Sequence, residues 1–331
     1  MDRVGVAIPV PHPLPVQDYI EAAKRAEAAG YESVWIPEVA GPDAPSLAAA
    51  VAVETERVRI GTGIISVFTR PPTLTAITAA TLGSLSQGRF VLGLGVSSPT
   101  IVQEWQGIPF TRPLARTREY VEIVRQVVAG GKVVYDGKTF HIRNYRAAMV
   151  MEQGRVPIYL AALQPPMLRL AGEIADGVIL NWVPAERVPE LIREVEVGAK
   201  KVGRSLSDLD ITCLVRVCID EAEDRVRAWL RRELTGYTIV ELYNRYFTSL
   251  GFGEEAQSVL AAWQRGDRAG AVAQVSEPML EALAAFGSAE ACRKRMAAFH
   301  AAGVNGVIAF PFSAEAQPRD SLLHTITALS A

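Results

Sequence analysis

The feature that most constrains this chain is an alternation repeated along almost its whole length. A short, continuously apolar, β-rich run is followed by a segment whose apolar residues recur at helical spacing. The runs are residues 4–10 (VGVAIPV), 33–37 (SVWIP), 58–66 (VRIGTGIIS), 89–95 (RFVLGLG), 156–162 (VPIYLAA), 177–181 (GVILN), 210–218 and 306–310 (GVIAF). Strands without polar alternation are buried on both faces, as in a parallel sheet covered by helices. Helical spacing predicts helices over 16–30, 46–54, 73–85, 114–129, 167–175, 188–202, 289–302 and 320–330. Eight strand–helix units make a TIM (β/α)8 barrel the expected α/β fold, with a doubly wound open sheet as the competitor.

Two stretches depart from the repeat. Residues 133–144 carry a central Asp-Gly between β-rich flanks and read as a hairpin excursion. Residues 221–286 are helical by pattern and far longer than one crossover requires, which predicts a helical insertion. No polar or Gly/Ser-rich linker divides the 331 residues, so one barrel domain over 1–331 is expected.

Charge and cysteine content narrow the function. Lys plus Arg total 34 against 36 Asp plus Glu, leaving no basic field for a nucleic-acid partner. Three cysteines without C-x-x-C spacing argue against a disulfide framework or a zinc site and suit the cytoplasm. The N-terminal run, broken by four prolines, does not read as a signal peptide, and no apolar stretch approaches the ~20 residues of a membrane span. Separated histidines and the lack of H-E-x-x-H or G-x-S-x-G leave metal and serine-nucleophile chemistry without support.

A barrel works at the C-terminal ends of its strands. That rule selects Pro11 and His12, Glu38, residues 64–66, residues 96–98, Gln164, Asn181 and Trp182, Arg216, and residues 310–312. His12 and Glu38 are the acid/base candidates. An imidazole there is either a proton shuttle or a solvated loop residue, and the carboxylate is an acid/base, a ligand to a polar group or a helix-cap anchor. The turn Gly95, Val96, Ser97, Ser98 offers amides and hydroxyls to a phosphate or ring carbonyl, or simply closes the barrel and caps a helix. Gly61 and Gly63 inside an apolar strand mark a bulge, a bend or a close approach. Trp182, Phe310 and Phe312 with Trp105 would wall a pocket for a planar ring, or are core. Arg143, Arg146, Arg231 and Arg232 face either an anionic tail or solvent.

The segments SVWIPE, GTGIIS, RPPTLTAITAATLGSLSQGRFVLGLGVSSP and VPIYLAALQPPMLRLAGEIADGVILNW resemble the bacterial-luciferase-like superfamily, above all its deazaflavin branch using coenzyme F420. That branch includes methylenetetrahydromethanopterin reductases and F420-dependent alcohol and glucose-6-phosphate dehydrogenases. The resemblance implies a luciferase-type barrel holding F420, or alternatively FMN, at its mouth. It implies a non-prolyl cis bond at Gly63-Ile64, with Gly63, Ile64 and Ile65 supporting the central ring. It places the cofactor phosphate and side chain against Gly95, Val96, Ser97 and Ser98 and against Ala162, Leu163, Gln164, Pro165 and Met167. At the positions where sugar-phosphate dehydrogenases of this family have a histidine and an acid, this chain has Val39 and Ser98. Where relatives commonly have Gly-Pro-Lys it has Gln164, Pro165 and Pro166. The expected activity is F420-dependent hydride transfer to or from a small organic molecule. An FMN-dependent monooxygenase and a non-catalytic flavin-binding barrel are the alternatives. A homodimer is implied, and the helix over 73–85 (TLTAITAATLGSL) is small and apolar on more than one face, as a buried interface requires.

Overall fold

The computed structural model describes residues 3–8, 12–149 and 155–330. Its strands are β1 (Arg3–Ala7), β2 (Ser33–Ile36), β3 (Arg59–Thr62), β4 (Ile65–Ser66), β5 (Phe90–Gly95), β6 (Lys132–Asp136), β7 (His141–Arg146), β8 (Ile158–Ala161), β9 (Gly177–Asn181), β10 (Asp210–Ile219), β11 (Ala284–Gly287) and β12 (Gly306–Pro311). Its α-helices are α1 (Val16–Ala28), α2 (Ala44–Glu54), α3 (Pro72–Leu85), α4 (Pro113–Val128), α5 (Pro165–Ile174), α6 (Val188–Lys201), α7 (Glu223–Thr238), α8 (Glu241–Ser249), α9 (Gly253–Gln264), α10 (Arg268–Ala273), α11 (Glu277–Leu283), α12 (Ala289–Ala301) and α13 (Pro318–Leu329).

Parallel pairing runs β1-β2-β3-β5-β8-β9-β10-β12 and returns to β1, closing an eight-stranded barrel rather than an open sheet. Proline sits in the first turn of α2, α3, α4, α5 and α6, where its missing N–H costs nothing and its fixed φ favours the helix. The helices pack outside the strands. Inside, Ala7, Trp35, Val91, Tyr159, Ile179, Leu214, Ile308 and Phe310 form a separate cluster contributed by seven strands. Gly61 is explained by this filling, because a Cβ there would lie 2.3 Å from the Trp35 ring. Trp35 is fixed in turn by its Nε1 donating to Ser33 Oγ at 2.9 Å.

Some expectations need correction. The strand expected over 58–66 is split at a cis Gly63-Ile64 peptide into β3 and β4, and β4 pairs with β5. The stretch over 221–286 is not helical to its end. Residues 284–286 belong to β11, which pairs in parallel with the upper half of β10 beyond the reach of β9. A six-residue π-helical turn, Thr100–Trp105, follows β5 and was not anticipated. The hairpin β6–β7 is present, and its turn is tied to α4 by Glu119, which accepts from the amides of Lys138, Thr139 and Phe140 at 2.7, 2.9 and 3.0 Å. Pro9, Val10 and Pro11 lie outside the described residues.

Candidate functional site at the barrel mouth

The mouth is built from the ends of β4, β5 and β8 on one side. Ser66 pairs with Gly95, and Val67 N donates to Gly95 O at 2.9 Å, so the strand broken at Gly63-Ile64 rejoins the sheet beside the end of β5. Ile64, partly buried, packs against the interior cluster together with Ala161. Gly95 lies between them: a Cβ there would meet Ile64 at 2.9 Å and Ala161 Cβ at 3.3 Å. Gly63, Ile64, Ile65 and Gly95 are thus brought together with the end of β8. Ile64 packs over side-chain-free Gly95 against Ala161, and the apolar surface they form together is the observation against which a flavin or deazaflavin is tested.

The next turn supplies polar groups. Ser97 has φ +61°, a conformation uncommon outside glycine and often found where a loop serves a ligand. Ser98 is 7% exposed; its Oγ accepts from Ile101 N at 3.3 Å and its carbonyl from Val102 N at 2.9 Å. Ser98 therefore caps the π-helical turn, and its hydroxyl proton is not consumed by that bond. At the end of neighbouring β8, Ala162 is buried and its N–H donates to Ile179 O at 3.2 Å, while Leu163, Gln164 and Met167 are half-buried. Helix α5 begins with Pro165 and Pro166, which have no N–H, and the amides of Met167 and Leu168 both donate to Gln164 O at 3.0 Å. This helix start offers an anion less than an ordinary one does. The polar share falls to Ser97 and Ser98.

The two acid/base candidates have different surroundings. His12 is 8% exposed, its ring stacks on Trp229 at 5.9 Å, and its Nε2 accepts from Ser313 N, just past the end of neighbouring β12, at 3.1 Å. Burial pulls its pKa below the ordinary 6.5, so the ring is neutral with its proton on Nδ1. Glu38 receives Arg70 at 3.0 Å and the amide of Ala44 at 3.2 Å, and Arg70 also pairs with Asp43. Of the three roles open to Glu38, this is the geometry of an anchor at the start of α2.

The far side of the mouth holds a group that periodicity could not assemble. Arg216, 4% exposed, projects from β10 with Trp182 on one side at 4.3 Å and Phe310 on the other at 4.1 Å. Helix α7 brings Tyr237, whose OH accepts from Arg216 at 3.1 Å, and Glu233, whose carboxylate stands 3.9 Å from the guanidinium. Trp182 follows β9 with φ +50°. Phe312 belongs to a different stack, on Trp229 at 4.3 Å, and Trp105 is 56% exposed, so the four aromatics do not form one wall. Arg231 is engaged by Glu277, while Arg143 and Arg146 are exposed on β7. A cavity of about 600 Å³ at the opposite, N-terminal end is lined by Arg3, Glu32, Arg59, Tyr159, Asp176 and Asp210, whose charges are paired with one another or with neighbours. It braces the barrel floor. Among the described residues no cluster of three or more His, Cys, Asp or Glu is placed to hold a metal, and no helix is long and apolar enough to cross a membrane.

Comparison with known proteins bears on the same features. Residues 3–306 match the family model described as luciferase-like monooxygenase. The chain belongs to that family. A luciferase-like relative from Mycobacterium tuberculosis, provisionally named as a coenzyme F420-dependent oxidoreductase, is 31% identical over 92% of this chain and 94% of its own. The 5,10-methylenetetrahydromethanopterin reductase of Methanolobus tindarius is 28% identical over 89% of this chain and 90% of its own. Among solved structures, the coenzyme F420-dependent tetrahydromethanopterin reductase of Methanopyrus kandleri superposes with a TM-score of 0.82 at 25% identity, covering 99% of this chain and 97% of that one.

Proposed function

We propose that this luciferase-like chain is a coenzyme F420-dependent oxidoreductase acting on a small organic substrate. The observation that carries the reading is the apolar surface of Ile64, Gly95 and Ala161 at the barrel mouth, in a chain whose Mycobacterium tuberculosis relative and Methanopyrus kandleri structural neighbour carry F420 in their names. Bound there, the deazaflavin would supply a two-electron hydride donor or acceptor at its C5.

The chain's own residues do the rest. Gly63, Ile64 and Gly95 bed and orient the ring, with Ile65 fully buried in the core behind them, and Ala162, Leu163, Gln164, Pro165 and Met167 border its side chain. Ser97 and Ser98 donate to its phosphate or ring-side oxygens. Trp182 and Phe310 exclude water from the substrate's side, which strengthens polar contacts within. His12 holds a proton at Nδ1 close to the mouth, while Glu38 fixes the loops after β2 and β4 through Arg70. The scarcity of reactive side chains suits chemistry residing in a cofactor.

A homodimer is part of the proposal. Helix α3 carries no charged residue and leaves Leu74 and Leu85 45% and 44% exposed, and neighbouring α2 leaves Val53 65% exposed. The buried free thiols Cys213, Cys218 and Cys292 suit the reducing cytoplasm. The test is turnover: reduced F420 and reduced FMN are each supplied with a panel of ketones, aldehydes and enones, with and without oxygen. Oxidation of reduced F420 that depends on an organic acceptor and not on oxygen supports the proposal. Oxygen uptake with reduced FMN and none of the former overturns it in favour of a monooxygenase.

A further inference from the structure

The Arg216 group contains an imbalance that the roles above leave unexplained. A buried guanidinium normally satisfies its charge with a hydrogen-bonded carboxylate, because desolvation of an unpaired ion is costly. Among the described residues the hydrogen-bond partners of Arg216 are neutral: the Tyr237 hydroxyl at 3.1 Å and, weakly, Asn181 Oδ1 at 3.4 Å. Its Nε has no acceptor among the described residues, and neither has Nε1 of Trp182, whose ring the guanidinium covers. Glu233 is near enough to balance the charge at 3.9 Å but not near enough to accept a hydrogen bond. Its side chain is 23% exposed where that of Arg216 is 4% exposed, so the open side of the pair is the carboxyl.

We propose that Arg216 and Glu233 form a subsite for one neutral oxygen of the substrate, a carbonyl or the corresponding alcohol, received between the guanidinium and the carboxyl. Arg216 donates to that oxygen, and Glu233 gives it a proton or takes one from it. The charges select a neutral group. With Glu233 ionised, as the oxidative direction requires, the pair sums to zero, and adding a carboxylate would leave a net negative charge among Trp182, Phe310 and Tyr237, where water does not screen it. Burial also raises the Glu233 pKa against the opposing effect of Arg216, the direction that favours a proton on this carboxyl.

The chemistry rests on the oxidoreductase reading proposed above. With a deazaflavin bound as the two-electron acceptor, the oxidative direction would break the carbinol C–H bond, its electron pair leaving as hydride to that acceptor. The O–H proton passes to the Glu233 carboxylate, and the C=O double bond forms. In the reductive direction each transfer reverses, so atoms and electrons balance with no further reagent. Glu233 comes from α7, outside the strand–helix repeat, so the insertion would supply both proton handling and part of the choice of substrate.

The test separates this subsite from the cofactor proposal. Cyclohexanone and cyclohexanecarboxylate are the probes, followed by ligand-observed NMR on the full chain without cofactor. F420 is titrated separately by fluorescence against wild type, Glu233→Gln and Arg216→Gln. Infrared difference spectra of wild type minus Glu233→Gln, with and without cyclohexanone, report the carboxyl itself. The expected result is that cyclohexanone binds and the carboxylate does not, and that Arg216→Gln weakens the ketone at least tenfold, the loss of a charged hydrogen bond. The Glu233 carboxyl band should shift when ketone is added, while F420 affinity stays within twofold in both variants. Should Arg216→Gln fail to fold, the isosteric Glu233→Gln decides through the infrared band and its own ketone affinity. Failure of wild type to bind cyclohexanone, equal or tighter binding of the carboxylate, or a carboxyl band indifferent to ketone overturns the subsite. Absence of F420 binding by wild type overturns the cofactor proposal instead and leaves these probe results to judge the subsite.

Discussion

Gly95→Ala separates the apolar surface at the mouth from the scaffold beneath it. The added Cβ would stand 2.9 Å from Cδ1 and Cγ1 of Ile64 and 3.3 Å from Ala161 Cβ, against ordinary carbon contacts of about 3.5–4.0 Å. What must yield is the Ile64 side chain, met at both Cγ1 and Cδ1, so Ile64 is displaced before the strand backbone is. Overpacking of this kind costs about 1–3 kcal/mol. If that cost falls on the bound ring, F420 affinity drops roughly 5- to 150-fold at ~1.4 kcal/mol per decade. If it fell on folding, the same cost would lower the melting temperature by a few degrees, at roughly 2 °C per kcal/mol for a chain this long. Gly93→Ala, one pleat earlier on β5, is the control. Its Cβ would lie 1.8 Å from the backbone oxygen of Thr62, whose hydroxyl also bridges to Gly93 O at 2.8 Å and Gly93 N at 2.9 Å. Strands β3 and β5 would have to separate, at a cost of about 4 kcal/mol or more. Paired thermal melts and fluorescence titrations should therefore give a folded, weakly binding Gly95→Ala and an unstable Gly93→Ala. A Gly95→Ala protein that binds F420 like wild type would refute the placement of the ring on this residue.

The remaining expectations concern the mouth and the outer helices. Ser98→Ala should weaken F420 by about five- to hundredfold through loss of a hydroxyl donor to a charged or carbonyl acceptor, while loss of its 3.3 Å cap bond costs about 1 kcal/mol or less; unchanged affinity with a lowered melting temperature would leave Ser98 as a cap alone. Because burial lowers the His12 pKa from 6.5, the unfolded chain takes up its proton first on acidification. The contribution of His12 to stability should be complete above about pH 6.5 and fall as pH drops toward the folded-state pKa, and His12→Gln should remove that slope from urea midpoints measured across this range. Light scattering at micromolar concentration should give twice the 35.8 kDa of one chain, and Leu74→Glu should shift it toward the monomer; a monomeric wild type would exclude the α3 interface.

The barrel is legible because its strands are apolar on both faces, a pattern that parallel burial alone demands, and because glycines and prolines mark the turns. The surface proposed for the ring was also marked in the sequence, because Gly63 and Gly95 interrupt runs otherwise made mostly of Ile, Val and Leu. What could not be read is settled by contacts distant in sequence. His12 meets Ser313 across 301 residues, and Glu38 is occupied by Arg70 from the loop after β4, so their neighbourhoods exist only once the barrel closes. Ala284 and Ala285 favour a helix locally, yet they lie in β11 because β10 offers an edge above the end of β9. Arg216 was visible as a charged residue on an apolar strand. Its partners Glu233 and Tyr237 were not, since nothing in a helical pattern says which turn of α7 faces the mouth.

The central claim, that this mouth takes a deazaflavin in preference to a flavin, is tested most directly by equilibrium fluorescence titration of the purified chain with F420 and with FMN under identical conditions. The account predicts saturable F420 binding at a dissociation constant well below that of FMN, with the difference reduced in Gly95→Ala. Tighter binding of FMN than of F420 by the wild-type chain would contradict it.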